Sequence, residues 1–154
     1  MDGFVLLTPV LVLVVILLLG FTGCDVVLGL EPPGTLTLKA RVPSQFTILE
    51  ARFEWTAPGG SLQSDNEPDR KNDGPDIIEL SHLIGTPAKG SWTAFCRLRV
   101  RQPTPTGAGR EAVDDETGTF TVDSTSEDSS AVFETSGSPA GLNFRVLFTG
   151  LVTE

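Results

Sequence analysis

The chain of 154 residues has no tyrosine, a single histidine, two cysteines, and no lysine or arginine ahead of Lys39. Tyrosine and tryptophan are common anchors at protein-binding and sugar-binding surfaces, so the lack of tyrosine weakens a prediction of sugar binding. Serine hydrolysis and most zinc sites need a histidine with partners, and no second ligand lies at a useful spacing from His82. The sequence also places no carboxylate pair as a general acid and base. We therefore predict a protein that is not an enzyme, binds no cofactor and uses His82 structurally.

Positive charge is scarce throughout. The chain has 11 Lys and Arg against 20 Asp and Glu, a formal net charge of −9. Because an acidic surface repels DNA, RNA and anionic lipid, we expect no nucleic-acid partner. The 16 glycines and 11 prolines fall between apolar runs, where they act as turns of a folded domain.

The longest hydrophobic run lies near the start of the chain, where residues 4–21 contain no charge. Its length is at the short end for a membrane-spanning helix and long for the core of a signal peptide. We predict a hydrophobic helix, acting as signal peptide or membrane anchor, in residues 1–23. A tether in residues 24–34 and a folded domain in residues 35–154 follow it.

The run closes on Phe21-Thr22-Gly23-Cys24, which resembles the lipobox of bacterial lipoprotein signal peptides. The resemblance covers the first 24 residues. It implies transfer of a diacylglyceryl group to the Cys24 thiol and cleavage before Cys24, which becomes the lipidated first residue of the mature protein. Two acyl chains suffice for stable membrane attachment. The family has Lys or Arg before the apolar core, whereas this chain has only Asp2, so an uncleaved membrane helix is the alternative.

Alternation of apolar and polar residues predicts the strands of the domain. The predicted strands are Thr35–Val42, Phe46–Trp55, Ile77–Ile84, Ser91–Arg101, Thr119–Asp123, Ala131–Thr135 and Asn143–Thr153. The run Ile77–Ile84 is also compatible with a short helix. The acidic run before Thr119 is placed in a loop, and the last strand, apolar on both faces in places, is placed centrally in a sheet. About seven short strands predict an all-β fold, an antiparallel two-layer β-sandwich.

The segment from Gly90 to Val100 resembles the late strand of immunoglobulin-like domains, in which an aromatic residue and a cysteine point into the core. Trp92 and Cys96 carry this resemblance, which implies an immunoglobulin-like sandwich. Two cysteines permit one disulfide in an oxidising compartment. We interpret Cys96 as a small core residue, which leaves Cys24 free for lipid.

The most polar segment, Ser61–Asp76, is predicted as a long loop that is either functional or mobile. It is rich in the oxygen ligands that calcium prefers, and the candidate ligands are Asp65, Glu67, Asp69, Asp73 and Asp76. Against the twelve-residue calcium loop, Lys71 and Leu80 fall on ligand positions. A solvated acidic loop and a calcium site therefore both stay open.

Three arginines, Arg97, Arg99 and Arg101, alternate along one face of a predicted strand. Opposite charges on neighbouring strands stabilise their pairing, so we expect this row to meet carboxylates such as Glu50 and Glu54. Anion binding is the alternative.

Together these patterns predict a lipoprotein of the bacterial cell envelope with an extracytoplasmic location. The membrane partner is reached through the N-terminal segment or through lipid on Cys24, and the non-catalytic β-sandwich binds a protein or a cell-wall component. The alternative is a single-pass membrane protein with an uncleaved anchor. In that case the segment Ser61–Asp76 serves calcium-dependent adhesion or carbohydrate binding.

Overall fold

Strands make up the regular structure of the residues that the computed structural model describes, which are 32–102, 104, 107–137 and 143–154. In chain order the strands are β1 Leu36–Pro43, β2 Thr47–Thr56, β3 Leu62–Asp65, β4 Asp69–Asn72, β5 Ile77–Gly85, β6 Gly90–Gln102, β7 Arg110–Val122, β8 Ser129–Ser136 and β9 Arg145–Thr153. Residues 1–31 lie outside the described residues, and with them the predicted N-terminal helix, Cys24 and most of the predicted tether. Residues Pro33–Glu154 form a compact unit. In the described ranges, no helix is long and apolar enough to span a bilayer.

The strands form a five-stranded sheet of order β4-β5-β1-β8-β9 and a four-stranded sheet of order β3-β2-β6-β7. The all-β class is confirmed, and the two sheets are consistent with the predicted two-layer sandwich. Paired strands run antiparallel with one exception among those described, because β1 and β8 are parallel. The prediction of a wholly antiparallel sandwich is wrong at this pair. Local alternation carries no information on the direction of a neighbour that is distant in sequence.

Alternation does predict which faces are buried. The apolar even positions of β1 and β6 all lie in the core: Leu36, Leu38, Ala40, Val42, Trp92, Ala94, Cys96, Leu98 and Val100. The run beginning at Ile77 is a strand and not a helix. Phe53 and Phe133 are the two largest fully buried side chains, and their ring centroids lie 6.3 Å apart.

The predicted loop Ser61–Asp76 contains two short strands, so that prediction is wrong. β3 extends the four-stranded sheet beside β2, and β4 extends the five-stranded sheet beside β5. The segment between them is therefore a crossover from one sheet to the other. Both β3 and β4 lie at sheet edges and are almost wholly exposed. They therefore lack the apolar alternation by which a strand is recognised in a sequence.

The acidic run that was predicted in a loop belongs to β7, which extends well beyond the predicted strand Thr119–Asp123. Glu111 and Asp115 lie directly opposite Arg101 and Arg97 of β6. The apolar alternation of this strand is lost because Asp114 and Glu116 hold its inward-facing positions opposite Leu98 and Cys96. Cross-strand charge pairing accounts for Glu111 and Asp115 on the outer face.

The last strand, β9, lies at the edge of its sheet, so the predicted central position is wrong. Leu147 on its outward face is 50% exposed, whereas Phe148 faces inward and lies against Gly118 of β7 in the opposite sheet. The carboxylate of Asp114 on β7 accepts a hydrogen bond of 2.8 Å from the backbone N–H of Val146. This contact covers part of an edge that would otherwise expose an unpaired donor.

Hydrogen bonds fasten the start of the domain to the loop before β8. Asp128 accepts from both the backbone N–H and the hydroxyl of Thr35, each at 2.8 Å. Directly after β9, the carboxylate of Glu154 lies 2.5 Å from the ammonium of Lys39 on β1 and accepts a hydrogen bond from Ser130 on β8. The first strand is thereby held at both its N-terminus and its middle.

These two carboxylates should make the domain less stable in acid. Hydrogen bonds from the hydroxyl and then the backbone of Thr35 lower the pKa of Asp128, and those from Lys39 and then Ser130 lower the pKa of Glu154. A pKa that is lower in the folded state contributes stability above the ordinary carboxyl pKa of about 4, and the contribution is lost as the pH falls through that range. The Tm should therefore fall between pH 7 and pH 3. Asp128→Asn keeps an acceptor but cannot titrate, so its Tm should fall less steeply, and parallel curves would contradict the prediction.

Candidate functional site

One cluster of polar and aromatic side chains joins the two sheets at the crossover. Nδ1 of His82 on β5 lies 2.7 Å from Oδ2 of Asp65 on β3. The imidazole also lies against the ring of Trp55 on β2, with centroids 4.5 Å apart. The pair is a hydrogen bond when the imidazole is neutral and an ion pair when it is protonated. Because these contacts hold the crossover against the five-stranded sheet, they are consistent with the structural role expected of His82.

The five calcium candidates have different neighbours rather than a common centre. They are Asp65, Glu67, Asp69, Asp73 and Asp76. Asp65 is engaged with His82, Oδ2 of Asp73 lies 3.9 Å from Nε of Arg41, and Asp69 is exposed on β4. Within the part of the chain that the structure describes, no group of three or more His, Cys, Asp or Glu side chains is arranged to hold a metal ion.

Beside the crossover, a cleft of about 380 Å³ opens between the sheets. Ile48, Leu49 and Leu80 contribute apolar surface to its wall, and Glu67 and Arg70 contribute charge. The pairing of β2 with β6 shifts register at this point, so that Leu49 is an extra, unpaired residue. β-bulges are common next to binding sites, and ligand sites usually combine an apolar wall with a few polar groups. The cleft is therefore the candidate site for a small ligand.

Exposed arginines occupy the outer face of the four-stranded sheet. Arg97, Arg99 and Arg101 alternate along β6, and we call them the arginine row. Nη2 of Arg101 lies 2.6 Å from Oε1 of Glu111 on β7. This hydrogen bond, together with the charges of Arg101 and Arg99, lowers the pKa of Glu111. One end of the row is thus neutralised by an ion pair.

Of the two carboxylates expected opposite the arginine row, only one lies there. Glu50 of β2 does lie opposite Arg99. Glu54 instead lies opposite Phe95 and forms an ion pair with Arg52 of its own strand. The sequence prediction found the right strand, but Glu54 lies four residues beyond Glu50 and so reaches past the end of the arginine row, where Phe95 stands.

Cys96 and Trp92 both point into the core, as their alternation predicts. Cys96 is a free thiol with no exposed surface, and burial raises its pKa strongly. A thiol that resists ionisation is a poor nucleophile. Trp92 donates its indole N–H to the carbonyl of Ala88 at 2.8 Å, which satisfies the polar atom of a buried ring.

Comparison of the chain with protein-family models, with curated proteins and with solved structures found no match. The cleft and the arginine row are therefore interpreted from their geometry. The sequence prediction missed Trp55, which packs on His82, and Arg52, which lies opposite Arg97 of the arginine row. Only their strand faces were visible in the sequence, since the side chains they meet come from other strands.

Proposed function

We propose that this protein is a lipoprotein of the bacterial cell envelope whose β-sandwich domain binds a protein or a cell-wall component without catalysing a reaction. The observation that carries the proposal is the uncharged run of residues 4–21, which closes on Thr22-Gly23-Cys24. A diacylglyceryl group on Cys24 would hold the domain at a membrane.

Features of the domain support a binding role. The cleft beside the crossover offers a concave surface of apolar and charged groups, and the arginine row offers exposed charge on a flat face. Arginine is enriched at protein interfaces, where it recognises carboxylates with two parallel hydrogen bonds. We further propose that the sandwich is immunoglobulin-like, since Trp92 and Cys96 lie in the core as that resemblance implies.

Cell fractionation and mass spectrometry of Cys24→Ala test the anchoring. The parent protein should be recovered with membranes, begin at Cys24 and carry the added mass of a diacylglyceryl group. Cys24→Ala should remain as the unprocessed precursor, because the thiol that accepts the lipid is gone.

Cys96→Ala is the matched control, because it removes the other cysteine, which lies in the core. Its processing and location should equal those of the parent protein. Normal processing of Cys24→Ala, or an intact leader on the mature parent protein, would contradict the proposal. An intact leader would favour the uncleaved membrane helix instead.

A further inference from the structure

We propose that the arginine row binds an acidic segment of a protein partner, which lies extended along β6. The choice of a protein partner rests on the proposed binding function. The inference adds where the partner binds and which side chains it must carry.

Two guanidinium groups of the row are available to a partner. Arg97 and Arg99 are exposed, and neither forms an ion pair with any residue that the structure describes. Asp115 and Glu50 lie opposite them in the strand register, yet both carboxylates remain outside ion-pair distance. A carboxylate of a partner can therefore approach these guanidinium groups from solvent.

The arrangement around Arg97 favours an anion between two strands. Arg97 lies directly opposite Arg52 of β2, and like charges in this position weaken strand pairing. Arg52 forms an ion pair with Glu54 through one terminal nitrogen, and its side chain remains 42% exposed. One carboxylate placed between Arg52 and Arg97 would relieve the repulsion and give both groups a charge-assisted hydrogen bond.

The shape of the positive surface selects a narrow, linear partner. Glu50 and Glu54 border the row on one side, and Glu111 and Asp115 border it on the other. An anionic bilayer would meet these carboxylates at the same time as the arginines, so a flat surface gains little. A single extended chain that lies along β6 contacts the arginines before it contacts the bordering carboxylates.

The spacing of the row matches an extended polypeptide. Alternate residues of a strand are about 6.7 Å apart, which is the spacing of the arginines and also of alternate side chains in an extended peptide. Phe95 and Val113 lie on the same face, and Val113 is 48% exposed. These side chains give a peptide apolar contacts that a simple polyanion would not use.

Binding of synthetic peptides to the full chain in uncharged detergent micelles tests the inference. The probe is an octapeptide that alternates Glu and Thr, and its affinity is measured by fluorescence anisotropy at two salt concentrations. Arg97→Gln/Arg99→Gln should bind about tenfold more weakly than the parent protein, since two charge-assisted contacts are lost. The affinity of the parent protein should fall as salt rises, because the contacts are exposed.

Lys71→Gln/Lys89→Gln is the matched control, because it removes two exposed positive charges that lie outside the arginine row, one on β4 of the other sheet and one in the loop before β6. It should bind the probe like the parent protein. A peptide of the same composition with its Glu residues in one block, and a peptide with Gln in place of Glu, should both bind more weakly. The Tm of each variant verifies that it is folded.

Equal binding of the probe to Arg97→Gln/Arg99→Gln and the parent protein would overturn the inference. So would equal affinity for the block peptide, or displacement of the probe by inorganic phosphate at a similar concentration, which would identify a simple anion site. The assay does not depend on the state of Cys24. Failure here therefore leaves the lipoprotein proposal intact, and normal processing of Cys24→Ala leaves this test intact.

Discussion

Gly118→Val should lower the free energy of unfolding by about 3 kcal/mol, because no space exists for a side chain at this position. A Cβ at Gly118 on β7 would lie 2.1 Å from Cγ of Phe148 on β9 of the opposite sheet. The ring of Phe148 is itself packed against Phe120 and Phe133, with centroids 6.0 Å and 5.1 Å away. The substitution must therefore move Phe148 or separate the two sheets where their edges meet.

Urea unfolding of the parent protein and the variant measures this effect. Thr117→Val is the control, because it introduces the same side chain at the adjacent, outward-facing position and should change stability by no more than about 0.5 kcal/mol. Adding Phe148→Leu to Gly118→Ala should recover part of the stability that Gly118→Ala loses, since the smaller side chain leaves room for the new methyl group. Equal stabilities of Gly118→Val and Thr117→Val would show that the sheets are not held together at this contact.

Phe133→Ala should cost about 4 kcal/mol, the usual loss when a fully buried phenylalanine is truncated. Phe133 has no exposed surface and lies on β8, an interior strand of the five-stranded sheet between β1 and β9. Its ring meets Phe53 from the four-stranded sheet and Phe148 from the neighbouring strand. Truncation leaves a cavity between these rings that the paired strands cannot collapse to fill.

Val152→Ala on β9 is the comparison, because Val152 is apolar but 51% exposed. It should change the free energy of unfolding by no more than about 0.5 kcal/mol. Thermal unfolding, monitored by circular dichroism, gives the Tm by which the variants are ranked. A similar Tm for Phe133→Ala and Val152→Ala would mean that the contact of the three aromatic rings does not stabilise the core.

The success of the sequence predictions depended on whether a strand has one apolar face. β1 and β6 do. Alternation identified their buried positions, which run from Leu36 to Val42 in β1 and from Trp92 to Val100 in β6. β3 and β4 have no buried face and were predicted as a loop, and the charged first part of β7 was predicted as a loop before the strand Thr119–Asp123. β9 was predicted as central because Val146, Leu147 and Phe148 make it apolar on both faces, but Leu147 is 50% exposed and the strand lies at the sheet edge.

In the candidate sites too, features within one strand were predicted from the sequence, whereas contacts between strands were not. The arginine row was visible as a period-two pattern in one strand. Its juxtaposition with Arg52, and the contact of His82 with Asp65, depend on residues 45 and 17 positions away in the chain. No local pattern connects residues at such separations.

By itself, the sequence determined the all-β class, the buried faces of the clearest strands and an N-terminal run whose ending resembles a lipobox. Each of these is a local property, set by the identity of a few neighbouring residues. Only the tertiary structure decided the parallel pairing of β1 with β8, the crossover cleft, and the position of Arg97 opposite Arg52, without an ion pair to any residue that the structure describes. These features arise from strand order and register, which result from packing the whole chain at once.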